Sequence, residues 1–100
     1  MNSVEELMSS VDGGREPPDG LAVPLLALWL ARKGRWDDAH EVAQELETTM
    51  GSWIHAYLHR VEGDLGNAGY WYRRAGKPAK STTEGLNDEW LEIATAALET

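Results

Sequence analysis

Residues 53 to 76 read Trp-Ile-His-Ala-Tyr-Leu-His-Arg-Val-Glu-Gly-Asp-Leu-Gly-Asn-Ala-Gly-Tyr-Trp-Tyr-Arg-Arg-Ala-Gly and gather most of the side chains able to do chemistry. His55 and His59 stand four apart, a spacing that puts two imidazoles on one side of a helix within reach of one metal ion, with Glu62 as a third, oxygen ligand. The same imidazoles equally serve as hydrogen-bonding groups for Tyr, Trp or backbone, with no metal. Glu62 and Asp64 are spaced to act as an acid and a base beside an arginine that holds an anion. The competing reading is structural: Asp64 caps a helix, and Glu62 pairs with Arg60, Arg73 or Arg74. Trp53, Tyr57, Tyr70, Trp71 and Tyr72 could line a groove for a peptide or a planar ligand. Helical phase sends Tyr57 and Tyr72 to the core and leaves Trp53, Tyr70 and Trp71 for contacts.

Other chemistries lack their residues. With no cysteine there is no thiolate metal site, no Cys nucleophile and no disulfide framework. Gly63, Gly66 and Gly69 recur every third residue, which suits a turn followed by close helix packing rather than a phosphate cradle. No Ser-centred nucleophile elbow is present. His40 stands alone and is read as a surface or turn contact.

The elements that carry these residues are predicted to be helices throughout. Ser3 with Glu6 forms a capping box for a first short helix, and Asp12-Gly13-Gly14 ends it. Residues 13 to 20 read as a linker, so this first helix is free to pack elsewhere or fray. Pro24 suits the first turn of a second helix, apolar around its whole circumference from Leu25 to Ala31. Trp36 to Thr49 is a third helix with Trp36, Ala39, Ala43, Leu46 and Met50 on one stripe. Gly51 breaks it, and Ser52 caps a fourth helix running to about Glu62. In the fourth, Ile54, Tyr57, Leu58 and Val61 form the core face, with His55, His59 and Glu62 on one shoulder and Trp53 and Arg60 on the other. Asp64 caps a fifth, with Leu65, Ala68, Gly69, Tyr72 and Ala75 buried, Asn67, Trp71 and Arg73 on its flanks, and Tyr70 and Arg74 turned away. Lys77 to Glu84 is a loop, and Asn87 caps a last helix. No stretch alternates with period two, so no strand is expected.

A shift of 29 residues superposes two of the turns: Gly34-Arg35-Trp36-Asp37-Asp38-Ala39 falls on Gly63-Asp64-Leu65-Gly66-Asn67-Ala68, then Ala43 on Tyr72 and Leu46 on Ala75. Glycine supplies a left-handed turn, and alanine lets two antiparallel helices approach. The order resembles the second half of a tetratricopeptide repeat. That resemblance implies antiparallel hairpins stacked as a short right-handed array of about five to six helices, with the last helix capping the open end. The period is shorter than the family's ~34 residues; Ala27 and Ala56 stand where it uses a glycine, and Pro78 arrives early. The 53–76 segment also resembles a family of small proteins of uncharacterised activity that carry an LHR-x-EGD-x-x-NA-x-YW string, a likeness that brings no reaction with it.

Composition bounds the function. One hundred residues with 42% apolar content make one domain, here divided into residues 1–20 and a helical domain over 21–100. The net charge of −8 argues against nucleic acid and against an anionic membrane surface. No run approaches the ~20 apolar residues of a membrane span, and an acidic start in place of a basic one makes a cytoplasmic location the expectation. Five Trp and three Tyr with no Phe require a core that contains hydrogen bonds. Residues 60 to 80 hold five Lys and Arg against two acids, a basic patch on an acidic body. The leading expectation is a non-catalytic interaction domain that binds a peptide or protein partner through His55, His59, Arg60, Glu62, Asp64, Asn67, Tyr70, Trp71, Arg73 and Arg74, with no cofactor. The alternative is a small-ligand or metal-binding enzyme centred on His55, His59, Glu62 and Asp64. A homodimer through the apolar helix at 21–33 would hide that helix.

Overall fold

The structure, a computed structural model, describes residues 2 to 99; Met1 and Thr100 lie outside them. Every regular element among the described residues is an α-helix: α1 (Val4–Gly13), α2 (Val23–Arg32), α3 (Trp36–Glu45), α4 (Thr49–Val61), α5 (Leu65–Ala75) and α6 (Leu86–Leu98). Three starts follow the sequence signals. Ser3 accepts from the Glu6 N–H at 3.1 Å, Pro24 occupies the first turn of α2, and Asp64 accepts from the Asn67 N–H at 3.2 Å.

Two starts differ. Thr48, and not Ser52, caps α4 by accepting from the Gly51 N–H at 2.9 Å. The third helix therefore stops at Glu45 instead of Thr49, and Met50 belongs to α4. Gly51 is no breaker: it lies inside α4 so close to the end of α3 that an added Cβ would fall 2.0 Å from the Leu46 carbonyl oxygen. At α6 the cap is Gly85, with φ +76°, while the Asn87 side chain accepts instead from Arg32 Nη1 at 3.0 Å.

The two turns related by 29 residues adopt the same backbone. Gly34 and Gly63 both have φ +83°, a left-handed value that glycine takes without penalty. The Arg35 N–H reaches back to the Leu30 carbonyl and the Asp64 N–H to the His59 carbonyl, each at 2.9 Å, closing the last helical turn in the same way. The hairpins α2/α3 and α4/α5 result, and α3 packs on α4 to join them. Ala27, Ala39, Ala56 and Ala68 are all fully buried, as close approach of neighbouring helices requires.

Helix α4 is the centre of this arrangement, with α2, α3, α5 and α6 packed around it. Every residue from Trp53 to Arg60 is buried, so there is no wet shoulder; Val61, expected in the core, is 40% exposed. Helix α6 runs against α1, α2 and α4 and does not extend the stack beyond α5. It packs on α2 and α4, and its Glu89 reaches Tyr72 of α5. Helix α1 docks on α2 and α6 through Leu7 and Val11, held by Trp29 Nε1–H donating to Ser10 Oγ at 3.0 Å and Lys33 Nζ donating to the Val11 carbonyl at 2.9 Å. With α1, α3, α4 and α6 around it, α2 buries Leu25 and Ala27 to Leu30 within the chain, which removes the reason to expect a homodimer there.

Indole and phenol groups supply the polar content of the core. Trp36 Nε1–H donates to the Leu58 carbonyl at 2.7 Å and Trp90 Nε1–H to the Leu28 carbonyl at 2.9 Å. Trp53 Nε1–H at 3.1 Å, the Tyr72 hydroxyl at 2.7 Å and Arg60 Nη1 at 2.9 Å all donate to the Glu89 carboxylate, which is only 2% exposed. Burial, and then that carboxylate, push the Tyr72 phenol pKa upward.

Three variants test this packing by chemical denaturation. Gly51→Ala, which drives a methyl group into the Leu46 carbonyl, is expected to cost about 3 kcal/mol or more, whereas Gly66→Ala, with open space around its Cβ, is expected to be neutral or mildly stabilising; equal effects at both positions would contradict the close α3–α4 joint. Glu89→Gln leaves the buried Arg60 guanidinium without its counter-charge and is expected to cost about 3–5 kcal/mol. A loss under about 1 kcal/mol would show that the pair is dispensable.

Candidate functional site

The histidines gather where α3 meets α4. His55 and His59 lie one turn apart on α4, and His40 reaches them from α3, one turn beyond Trp36. Ring centroids are 4.5 Å apart for His40–His55, 5.2 Å for His40–His59 and 4.9 Å for His55–His59. One ring nitrogen from each of the three lies within 4.8 Å of the other two. His40 is thus no isolated contact but the third member of the cluster. Its partnership with α4 depends on how two helices pack, which spacing along one chain segment does not encode.

Tryptophans bracket the cluster. Trp36 stacks on His40 with centroids 4.8 Å apart, and Trp71 stacks on His55 at 3.8 Å with an interplanar angle of 12°. On α4, Glu62 Oε1 sits 2.7 Å from His59 Nδ1. Glu62 thus pairs with His59, where an arginine partner was expected. His55 is 3% exposed, and its Nδ1 has no hydrogen-bond partner among the described residues. Burial first, then the neighbouring His40, His59 and Arg74, depress the His55 pKa to about 4. Burial likewise lowers that of His40, with His59 adding to it. Both rings are neutral at pH 7, with a lone pair available on each.

The remaining expected residues divide in two. Arg60 points inward and is enclosed by the protein. It is 2% exposed, bonded to Glu89, and its Nε–H and Nη2–H donate to the carbonyls of Thr82 (2.7 Å) and Glu84, so it clamps the 77–85 loop. Trp53, expected to make contacts at the surface, is 6% exposed, with the Lys77 ammonium 4.0 Å over its ring. Asp64 serves as the α5 cap, although its carboxylate also lies near His59 and Glu62 in a second, more open group. Asn67, Tyr70, Arg73 and Arg74 are exposed along α5, and Trp71 is half-buried beside them. The Arg74 guanidinium lies 5.1 Å over Trp71 and 5.9 Å from the Tyr70 ring, and donates to the Tyr70 hydroxyl at 3.2 Å. From this ledge a polar groove of about 680 Å³ runs to the α3–α4 joint, walled by Gln44, Glu47, Thr48, Ser52, Trp71 and Arg74. With Arg60 neutralised inside, the basic patch reduces to Arg73, Arg74, Lys77 and Lys80.

Residues missed in sequence reasoning are His40, Glu89 and the groove wall at Gln44, Glu47, Thr48 and Ser52. Glu89 did leave a signal. It is an acid in register with Leu86, Trp90, Ile93 and Ala97, on the buried stripe of α6.

The depressed His55 pKa sets a pH dependence. The unfolded chain takes up a proton near pH 6.5, whereas the folded protein does so only near pH 4. Stability is therefore full above pH 6.5 and falls as the pH drops toward 4, by at most about 3 kcal/mol from this residue. In metal-free buffer, denaturation midpoints measured from pH 7.5 to 5 are expected to fall more steeply for the wild type than for His55→Phe, which keeps a ring against Trp71. Equal slopes would contradict a neutral, buried His55.

Comparison with protein-family models, with curated proteins and with solved structures finds no match, so the site is read from its own geometry.

Proposed function

We propose that the protein is a non-catalytic binding domain that holds a short acidic peptide segment in the groove between the α3–α4 joint and α5. The observation that carries this reading is the ledge of Tyr70, Trp71 and Arg74 at the edge of that groove. Trp71 is held from below by His55 at 3.8 Å, and Arg74 is spread over both aromatic rings, so the anchoring groups are ordered before a ligand arrives.

Position supports the same face. Helix α6 packs on α2 and α4, whereas the outer side of α5 carries Tyr70, Arg73 and Arg74 in the open. Neither arginine has an ion-pair partner among the described residues. Gln44, Thr48 and Ser52 offer donors and acceptors to a peptide backbone, and Arg74, backed by Trp71, a fork for its carboxylate. The tetratricopeptide likeness favours this reading too, since such hairpin arrays serve as platforms for peptides.

Selection of a random peptide library on the immobilised protein, in the presence of chelator, tests the proposal. Enriched peptides are expected to carry Asp, Glu or a free C-terminal carboxylate. Their affinity is expected to fall at least tenfold with Arg74→Glu and with Trp71→Ala, and to be unchanged by Lys80→Glu at the far end of the basic patch. Failure to enrich any sequence, or equal binding by Arg74→Glu, refutes it.

A further inference from the structure

We propose that His40, His55 and His59 form a binding site for one late first-row divalent metal ion of the Zn²⁺ type, with Glu62 orienting His59 from outside the coordination shell. The site is separate from the peptide groove; Trp71, stacked on His55, stands between the two.

Three observations converge on it. First, donor chemistry: three imidazoles from two helices approach one another with a ring nitrogen from each within 4.8 Å. Nitrogens bound to one tetrahedral ion at 2.0–2.1 Å stand about 3.3 Å apart, so the rings draw together by no more than about 1.5 Å on loading. An all-imidazole set without thiolate suits zinc, nickel or copper rather than calcium or magnesium, which prefer oxygen.

Second, one nitrogen lacks a partner. The stacks of His40 on Trp36 and of His55 on Trp71 account for how the rings pack, and they would suffice if every polar atom were satisfied. His55 Nδ1 is not: it is buried with no hydrogen-bond partner among the described residues, a condition that native proteins avoid at about 1–3 kcal/mol. A metal ion bound through Nδ1 would remove that deficit.

Third, the outer contact is in place. Metal-bound histidines characteristically donate their other ring N–H to a carboxylate, which fixes tautomer and orientation. The 2.7 Å contact of Glu62 Oε1 with His59 Nδ1 has that form, and it leaves Nε2 for the ion. The electrostatic balance is favourable as well. Arg74 opposes a cation near His55, but Glu62 is adjacent and the chain carries a net charge of −8. The fourth coordination position falls to water.

Isothermal titration of the intact chain with ZnCl₂, and separately with NiCl₂, tests the site; MgCl₂ and CaCl₂ serve as hard-cation controls. One Zn²⁺ per chain is expected, together with a rise in melting temperature that EDTA reverses. His40→Phe keeps an aromatic ring against Trp36, and its helical circular dichroism is expected to match the wild type. Its Zn²⁺ affinity is expected to drop at least tenfold. Glu62→Gln is expected to weaken Zn²⁺ about tenfold or more while preserving one-to-one stoichiometry. In histidine ¹⁵N spectra the His40, His55 and His59 ring nitrogens are expected to shift together on loading. Three results overturn the proposal: no stoichiometric binding of Zn²⁺ or Ni²⁺, undiminished binding by His40→Phe, or equal binding of Mg²⁺ or Ca²⁺, which would indicate loose association with surface carboxylates. Because the peptide selection is run in chelator, either proposal fails without deciding the other.

Discussion

The Glu89 carboxylate is the group on which the rest of the structure depends. It reaches the middle of the protein from α6 and accepts hydrogen bonds from Trp53 and Arg60 on α4 and from Tyr72 on α5. A lone carboxylate at that depth would be driven to protonate, and a lone guanidinium would be intolerable. Together, each with its remaining positions bonded, they are compatible with a dry core. The Arg60 fork continues outward to the carbonyls of Thr82 and Glu84, so the same network fixes the course of the chain between α5 and α6. A charge pair of this kind contributes less net stability than aliphatic residues of equal volume can; its bonds join three helices and a loop at one point.

One part of the molecule was legible in the sequence and another was not. The hairpin turns could be read because their causes are local: a glycine at a left-handed position, an Asp64 cap, and alanines where helices pass closely. The all-helical class followed from the absence of any period-two stretch. The surroundings of α4 could not be read. Amphipathic reasoning assigns a helix one buried face, but α4 is enclosed by four neighbours, so His55, His59, Arg60 and Trp53, assigned to shoulders, are all inside. Polar residues in a helix buried on every side look the same in sequence as polar residues on a helix half in water.

The candidate site was read in the same uneven way. The pairing of His55 with His59 and the neighbourhood of Glu62 are properties of one helix, and its spacing displays them. The arrival of His40 from α3 is a property of the α3–α4 crossing, and so is the groove at Thr48 and Ser52. Cap choice had a similar ambiguity. Thr48 and Ser52 both precede plausible helical residues, and only the approach of Gly51 to Leu46 decides between them. Tryptophan supplied the useful hint throughout. Residues that are large and also carry one donor must be matched by a specific acceptor, and Leu28, Leu58, Ser10 and Glu89 provide the four acceptors in the core.

The tightness at Gly51 has a consequence for how such a chain can vary through descent. Between Glu45 and Thr49 only three residues turn the backbone, and the following turn of helix rides on the Leu46 carbonyl with no room for a β-carbon. Lengthening this corner by a residue would move the Gly51 turn off the Leu46 carbonyl and disturb the α3–α4 contact on which the meeting of the histidines depends. Gain or loss of residues during evolution is therefore expected to collect in the stretch 15–20, where polar chain lies at the surface, and to spare this corner.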